Sequence, residues 1–245
     1  MRKSIHVNRY EFPLKTFFVM IKNIPDGFKK ILYWFSVLLF MILELAGPVM
    51  ILVIMRKIFH IYLCGEEDTL SALPVISITT LAIVFALNKL ENTNLLHFPK
   101  LRIQPLIVSI IFGALMWIFS HFYNAILFPE LHNETIRSFY GLVYYILSPF
   151  LAAITEEMFF RGWLLGYMEK KSFSKITIIL TISTGFFLFH WLPFNPIYLR
   201  IDTFILSILT CCMFFKTRDL RYSILIHLTA DSITSMTLII PYLLR

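Results

Sequence analysis

The chain has 245 residues, 58% of them hydrophobic and only 15% charged, where an ordinary globular domain carries about a quarter charged residues. That balance leaves no room for a soluble domain and predicts an all-α polytopic membrane protein, a bundle of about seven transmembrane helices. The net charge of +7 is not a nucleic-acid signal, because the basic residues fall in the loops between apolar runs, where membrane topology places them.

Residues 1–30 are basic and mixed, and read as a cytosolic amphipathic N-terminal segment lying along the inner surface. No cleavable signal peptide is expected, since the first strong apolar run begins only near Ile31. The first span is Ile31–Met55, with Gly47-Pro48 predicting a kink and Glu44 at mid-depth, read as a hydrogen-bonded neutral acid. An acidic loop with Glu66, Glu67 and Asp68 precedes the second span, Leu70–Leu87. The third, Leu106–Leu127, carries His121 and Asn124 at i and i+3, read as helix–helix hydrogen-bonding groups facing the bundle. These spans make up an N-terminal transmembrane part, 31–135.

The run Phe139–Tyr167 is too long for one straight crossing, and Ser148-Pro149 is expected to break it. The fifth to seventh spans are Ile176–Leu192, Ile201–Phe215 and Tyr222–Leu243. With the N-terminus inside, 17 of the 22 Lys and Arg fall in inner segments, so the favoured topology is N-terminus in the cytosol and C-terminus out. Cys64, Cys211 and Cys212 form no disulfide framework and no spaced metal signature; the adjacent Cys211 and Cys212 are read as packing residues.

Chemistry concentrates in residues 136–245. Thr155-Glu156-Glu157-Met158-Phe159-Phe160-Arg161 puts two carboxylates and a guanidinium in an apolar run. Charge there costs roughly 2.5–3.5 kcal/mol per group on insertion scales, which makes it a functional-site candidate by default. Glu157 and Arg161 are at i and i+4, acid first, and can pair along one helix face. Glu156 lies about 100° around the helix, outside that pair, and is the candidate general base. The competing reading is an ion cluster that only locks helices together.

Two further spans carry matching groups. His190 closes the fifth span with Phe186 one turn below it, and His227 and Asp231 share one face of the seventh. Measured from the turn at Lys171–Lys175, Glu156 and His190 share a depth of about 22 Å, whereas His227 is only about 9 Å past Arg221. The levels agree only if the Glu169–Lys175 hairpin projects about two helical turns from the membrane. If the groups converge on an intramembrane polar cavity, Glu156 takes a proton from water and His190 holds that water. His227 and Asp231 then stabilise an oxyanion or ligate a metal. Two imidazoles and a carboxylate also suit zinc, with Glu156, His190 and His227 as ligands, although the H-E-x-x-H spacing is absent.

Glu156-Glu157-x-x-x-Arg161, Phe186-x-x-x-His190 and His227-x-x-x-Asp231 together resemble the three ordered motifs of the CPBP intramembrane proteases. These are relatives of the Ras-converting CAAX endopeptidases and of the bacterial Abi, or bacteriocin self-immunity, proteins. Phe215-Lys216-Thr217-Arg218-Asp219-Leu220 resembles the family's basic turn before its last motif, so the likeness covers roughly Pro149–Ser232.

The resemblance implies an intramembrane endopeptidase with a cytosol-facing site and a glutamate-activated water, acting on a peptide or membrane-protein substrate in the cell membrane. Glu156 matches the catalytic glutamate, His190 its partner, and His227 and Asp231 the oxyanion or metal pair. Glu157, Arg161 and Phe186 complete the motifs structurally. A divalent metal such as zinc is the implied cofactor. Two departures stand out: Asp231 replaces the Asn of the CAAX endopeptidases, and bulkier residues, Leu209 and Met213, stand where small ones are usual. An ionised Asp cannot donate to an oxyanion, so Asp231 is protonated, ligates a metal, or orients His227. The alternatives to a peptidase are a non-catalytic immunity or regulatory protein on the same scaffold and a proton-coupled transporter. The latter lacks the internal symmetry usual for transporters.

Overall fold

The computed structural model of the protein describes residues 66–91, 99–127, 136, 138–191 and 200–245. The amphipathic segment 1–30, the span Ile31–Met55 with its Glu44, and Cys64 lie outside the described residues. The described elements are helices: α1 Glu66–Glu91, α2 Ile103–Leu127, α3 Phe139–Lys170, α4 Lys175–Trp191, α5 Ile201–Thr217 and α6 Leu220–Leu243. Among the described residues there is no strand. Of these helices α2, α3 and α6 are long and apolar enough to cross a membrane, while α4 is a shorter apolar helix.

Two sequence expectations are overturned. The acidic stretch Glu66-Glu67-Asp68 is not a loop but the first turn of α1. Acidic residues are favoured in a first turn by the positive end of the helix dipole. Nor does Ser148-Pro149 break α3, which runs helical from Phe139 through a buried Pro149 to Glu157 and continues to Lys170. A proline costs a helix one donor and a local clash, and inside a membrane bundle neighbouring packing holds the helix together across it.

The irregularity lies further on. Met158–Leu164 winds as a π-helix directly after the two glutamates. Such wide turns are rare and occur mostly at functional sites. Here the wide turn covers Arg161 and Trp163, and every residue in it is buried.

Helix α6 is the central element, packed against α2, α3 and α5, while α4 packs on α5 and α1 on α3. The α2–α6 approach is close because residue 113 is glycine: a Cβ there would lie 2.6 Å from the Ile226 carbonyl oxygen and 2.6 Å from the Thr229 Cβ. Small residues permit this kind of contact between membrane helices, where packing takes the place of the hydrophobic effect. One apolar cluster joins Phe159, Phe160, Trp163, Ile178, Ile182, Phe186 and Cys211; a second joins Met116, Leu206, Met213, Tyr222, Ile226 and Ala230. Met213 thus fills a helix contact, and Leu209 packs at its edge. Of the adjacent cysteines, Cys211 is core and Cys212 is exposed. His121 does not face the bundle: it is exposed, stacked on Trp117 with ring centroids 5.4 Å apart.

The turn between α5 and α6 sets the level of the last helix. Arg218 adopts φ 57°, ψ 31° and ends α5, and the Asp219 side chain caps α6 by accepting from the Arg221 N–H. Arg218 Nη1 donates to both carboxylate oxygens of Glu169, each at 2.7 Å. Glu169 and Arg218 are therefore level. Counting inward, Glu157 is 12 residues from Glu169 and His227 is 9 from Arg218, a mismatch of only about 4.5 Å.

Candidate functional site

The candidate side chains come from α3, α4 and α6, and a fourth helix, α5, packs against them through Ser207. The buried Thr155 hydroxyl, directly before the glutamates, donates to the Leu151 carbonyl at 2.7 Å. Arg161 is fully buried and multiply anchored. Its Nη1 donates to Glu157 Oε1 at 2.9 Å, and its Nη2 donates to the Ser207 hydroxyl at 2.6 Å and the Ser207 carbonyl at 3.1 Å. Its guanidinium carbon also lies 4.8 Å from the centroid of the Phe186 ring. A buried guanidinium is tolerated when its charge is paired and its donors find acceptors, and a ring face adds cation–π attraction.

Glu157 Oε1 takes a second bond, from His227 Nδ1 at 3.2 Å. An arginine-paired carboxylate can only accept, so Nδ1 carries the proton. On α4 the same logic holds: His190 Nδ1 lies 2.9 Å from the Phe186 carbonyl, an acceptor, and donates to it. Both imidazoles therefore have Nδ1 tied back to the scaffold and Nε2 turned inward. His190 Nε2 is 3.7 Å from Glu156 Oε2, and His227 Nε2 is 3.9 Å from the same oxygen. Asp231 Oδ2 lies 3.2 Å from His227 Nε2. The Phe186 ring packs against both imidazoles, 4.4 Å from His190 and 5.8 Å from His227, centroid to centroid.

The structure thus brings Glu156, His190, His227 and Asp231 together, with Glu157, Arg161 and Phe186 beneath them. Burial is graded across the group. Glu157 and Arg161 are sealed, Glu156 is 8% exposed, His190 19% and Asp231 38%. Exposure therefore rises toward Asp231. The donor set has the chemistry that zinc accepts. Among the described residues, however, no group of three or more His, Cys, Asp or Glu is arranged to hold a metal ion. No step below is routed through one.

Sequence reasoning missed Ser207. It is one hydroxyl in an apolar run, and nothing in its spacing marks it; only the α3–α5 packing gives it the Arg161 contact. It also passed over Asp202, buried at the start of α5, which accepts from Arg200 Nε at 3.1 Å and from Ser120 at 2.9 Å. The pairing of an acid with Arg200 two residues before it was the available signal.

Apolar spanning helices with a buried ionic core define an integral membrane protein. Residues 137–233 match the family model of type II CAAX prenyl endopeptidase Rce1-like proteins, so the segment from α3 to α6 carries an Rce1-like domain. That is a protease family, and the match is less than half of the chain. No curated protein and no solved structure gives a match.

Proposed function

We propose that this chain is an intramembrane endopeptidase in which Glu156 activates water against a peptide bond. The observation that carries this is the convergence of His190 Nε2 and His227 Nε2 on one Glu156 oxygen, at 3.7 and 3.9 Å. These gaps are too long for direct hydrogen bonds and short enough for a water to bridge Glu156 to an imidazole. With its Nδ1 committed elsewhere, His190 Nε2 accepts one hydrogen of that water and Glu156 accepts the other as its proton. The water oxygen then attacks the carbonyl carbon. Asp231, in its protonated form, shares its proton with His227 Nε2 and offers it to the oxyanion, the role such donors play in acyl transfer. Glu156 returns its proton to the amide nitrogen as the C–N bond breaks, giving a carboxylic acid and an amine.

The Rce1-like domain supports a peptide or membrane-protein substrate, with CAAX-type processing, peptide maturation and bacteriocin self-immunity as the settings to test. Seven spans, a cytosolic N-terminus, residence in the cell membrane and a polar cavity opening to the cytosol belong to the same proposal. The buried Glu157–Arg161–Ser207 network favours one other reading, a non-catalytic immunity or regulatory protein, because such a network holds the bundle whether or not chemistry occurs.

The experiment is cleavage of fluorogenic membrane-anchored peptides by the full chain in liposomes. Glu156→Gln, inserted and folded, is expected to lose activity by about 10²–10⁴-fold. Full activity in that variant ends the peptidase assignment, and a biological phenotype that survives it supports the non-catalytic reading. Zinc content of the purified chain is measured alongside. Stoichiometric zinc that is lost in His190→Ala would make Glu156, His190 and His227 its ligands.

A further inference from the structure

Away from the catalytic groups, the start of α2 and the end of α5 enclose a cavity of about 190 Å³, lined by Arg102, Gln104, Pro105, Val108, Met213 and Lys216, with Thr217 at its edge. We propose that this cavity binds the phosphate of an anionic phospholipid, with the lipid's glycerol and first methylenes on Pro105, Val108 and Met213.

Charge is the first argument. Arg161, Arg200, Arg218 and Arg221 each have a carboxylate partner, in Glu157, Asp202, Glu169 and Asp219. Arg102 and Lys216 have no ion pair among the described residues, and no acid lines the cavity. Arg102 makes one long side-chain bond, Nη2 to the carbonyl of Thr217, another cavity residue, at 3.4 Å. Two unneutralised cations over one concave site call for an anion.

Preorganisation is the second. The Arg102 backbone is clamped to α6: its N–H donates to the Tyr222 hydroxyl at 2.7 Å, and that hydroxyl donates to the Arg102 carbonyl at 3.1 Å. Arg221 Nη2 also donates to the Pro99 carbonyl beside it. The rim is therefore fixed, and little ordering remains for a ligand to impose.

Depth is the third. The clamp puts the start of α2 level with the start of α6, the basic end of the bundle, where Lys170, Lys171 and Lys175 also lie. Leu101, Ile103 and Ile107 are exposed beside the rim, at 57%, 73% and 51%. Cations directly above an exposed apolar face mark the headgroup level, and anionic lipids are held there by Lys and Arg. The apolar wall below the cations suits an acyl glycerol better than a free ion.

The test is native mass spectrometry of the full chain from mixed phosphatidylglycerol and phosphatidylcholine micelles. The wild type is expected to retain one phosphatidylglycerol. Arg102→Gln and Lys216→Gln should each weaken retention about fivefold, and Lys171→Gln, an exposed lysine outside the cavity, should leave it unchanged. Val108→Phe keeps both charges but fills the cavity, and should also displace the lipid. Retention unchanged in the two Gln variants or in Val108→Phe overturns the proposal, as does equal loss in Lys171→Gln. Displacement by millimolar inorganic phosphate would make this a site for a soluble anion, and also overturns it.

Discussion

Glu157 Oε1 accepts from Arg161 Nη1 at 2.9 Å and from His227 Nδ1 at 3.2 Å. One oxygen thus ties a helix's own salt bridge to the imidazole of a helix 70 residues away. It fixes which His227 nitrogen carries the proton and leaves the other facing Glu156. The Glu157 side chain is therefore a positioning group for His227, and its loss has a structural and a chemical consequence.

Glu157→Gln leaves a fully buried guanidinium without its counter-charge. Breaking a buried pair from one side typically costs about 3–5 kcal/mol. Thermal unfolding in detergent should show that loss, and Glu157→Leu combined with Arg161→Met should recover part of it. A double variant no better than Glu157→Gln would mean that the pair does not act as a unit.

Ser207→Ala removes the hydroxyl that accepts from Arg161 at 2.6 Å but keeps the carbonyl acceptor. The expected destabilisation is about 1–3 kcal/mol, the cost of leaving a buried charged donor short of one partner. Because Arg161 orients Glu157, turnover should fall while substrate affinity holds. A KM effect without a kcat effect would place Ser207 outside the relay.

Asp231→Asn exchanges a protonated carboxyl for an amide, which can likewise both donate and accept. Asp231 Oδ2 stands 3.2 Å from His227 Nε2, close enough for an amide to serve in its place. Activity within about threefold of wild type is expected for Asn and a loss of about 10²-fold for Leu, as for removal of an oxyanion donor. Inactivity of the Asn variant, read in the same liposome cleavage assay, would show that a carboxylate is required at this position.

Gly113→Ala places a methyl 2.6 Å from the Ile226 carbonyl oxygen, one residue from His227. Neither the backbone oxygen nor the Thr229 Cβ can yield without moving α6. Overpacking of this kind costs about 1–3 kcal/mol, and here the displaced helix carries His227 and Asp231. Hydrogen exchange across Leu220–Leu243 should quicken, and peptide cleavage should fall with no residue of the candidate site changed.

The residues themselves determined the membrane class, the helix order near the site and the candidate groups. Hydropathy and the i, i+4 pairing of Glu157 with Arg161 depend only on local spacing, and each is satisfied within one helix. Level and partnership were not legible in the same way. Depth arithmetic along separate helices could not know that Arg218 reaches Glu169 or that α3 widens at Met158–Leu164. Pro149 was read as a break because propensity counts a missing donor, whereas packing decides whether the helix carries on through it. Ser207 became part of the site, and Arg102 and Lys216 the rim of a cavity, only when helices distant in sequence were set side by side. Which charges are neutralised, and which face an opening, is a property of contacts between helices and is written in no single stretch of the chain.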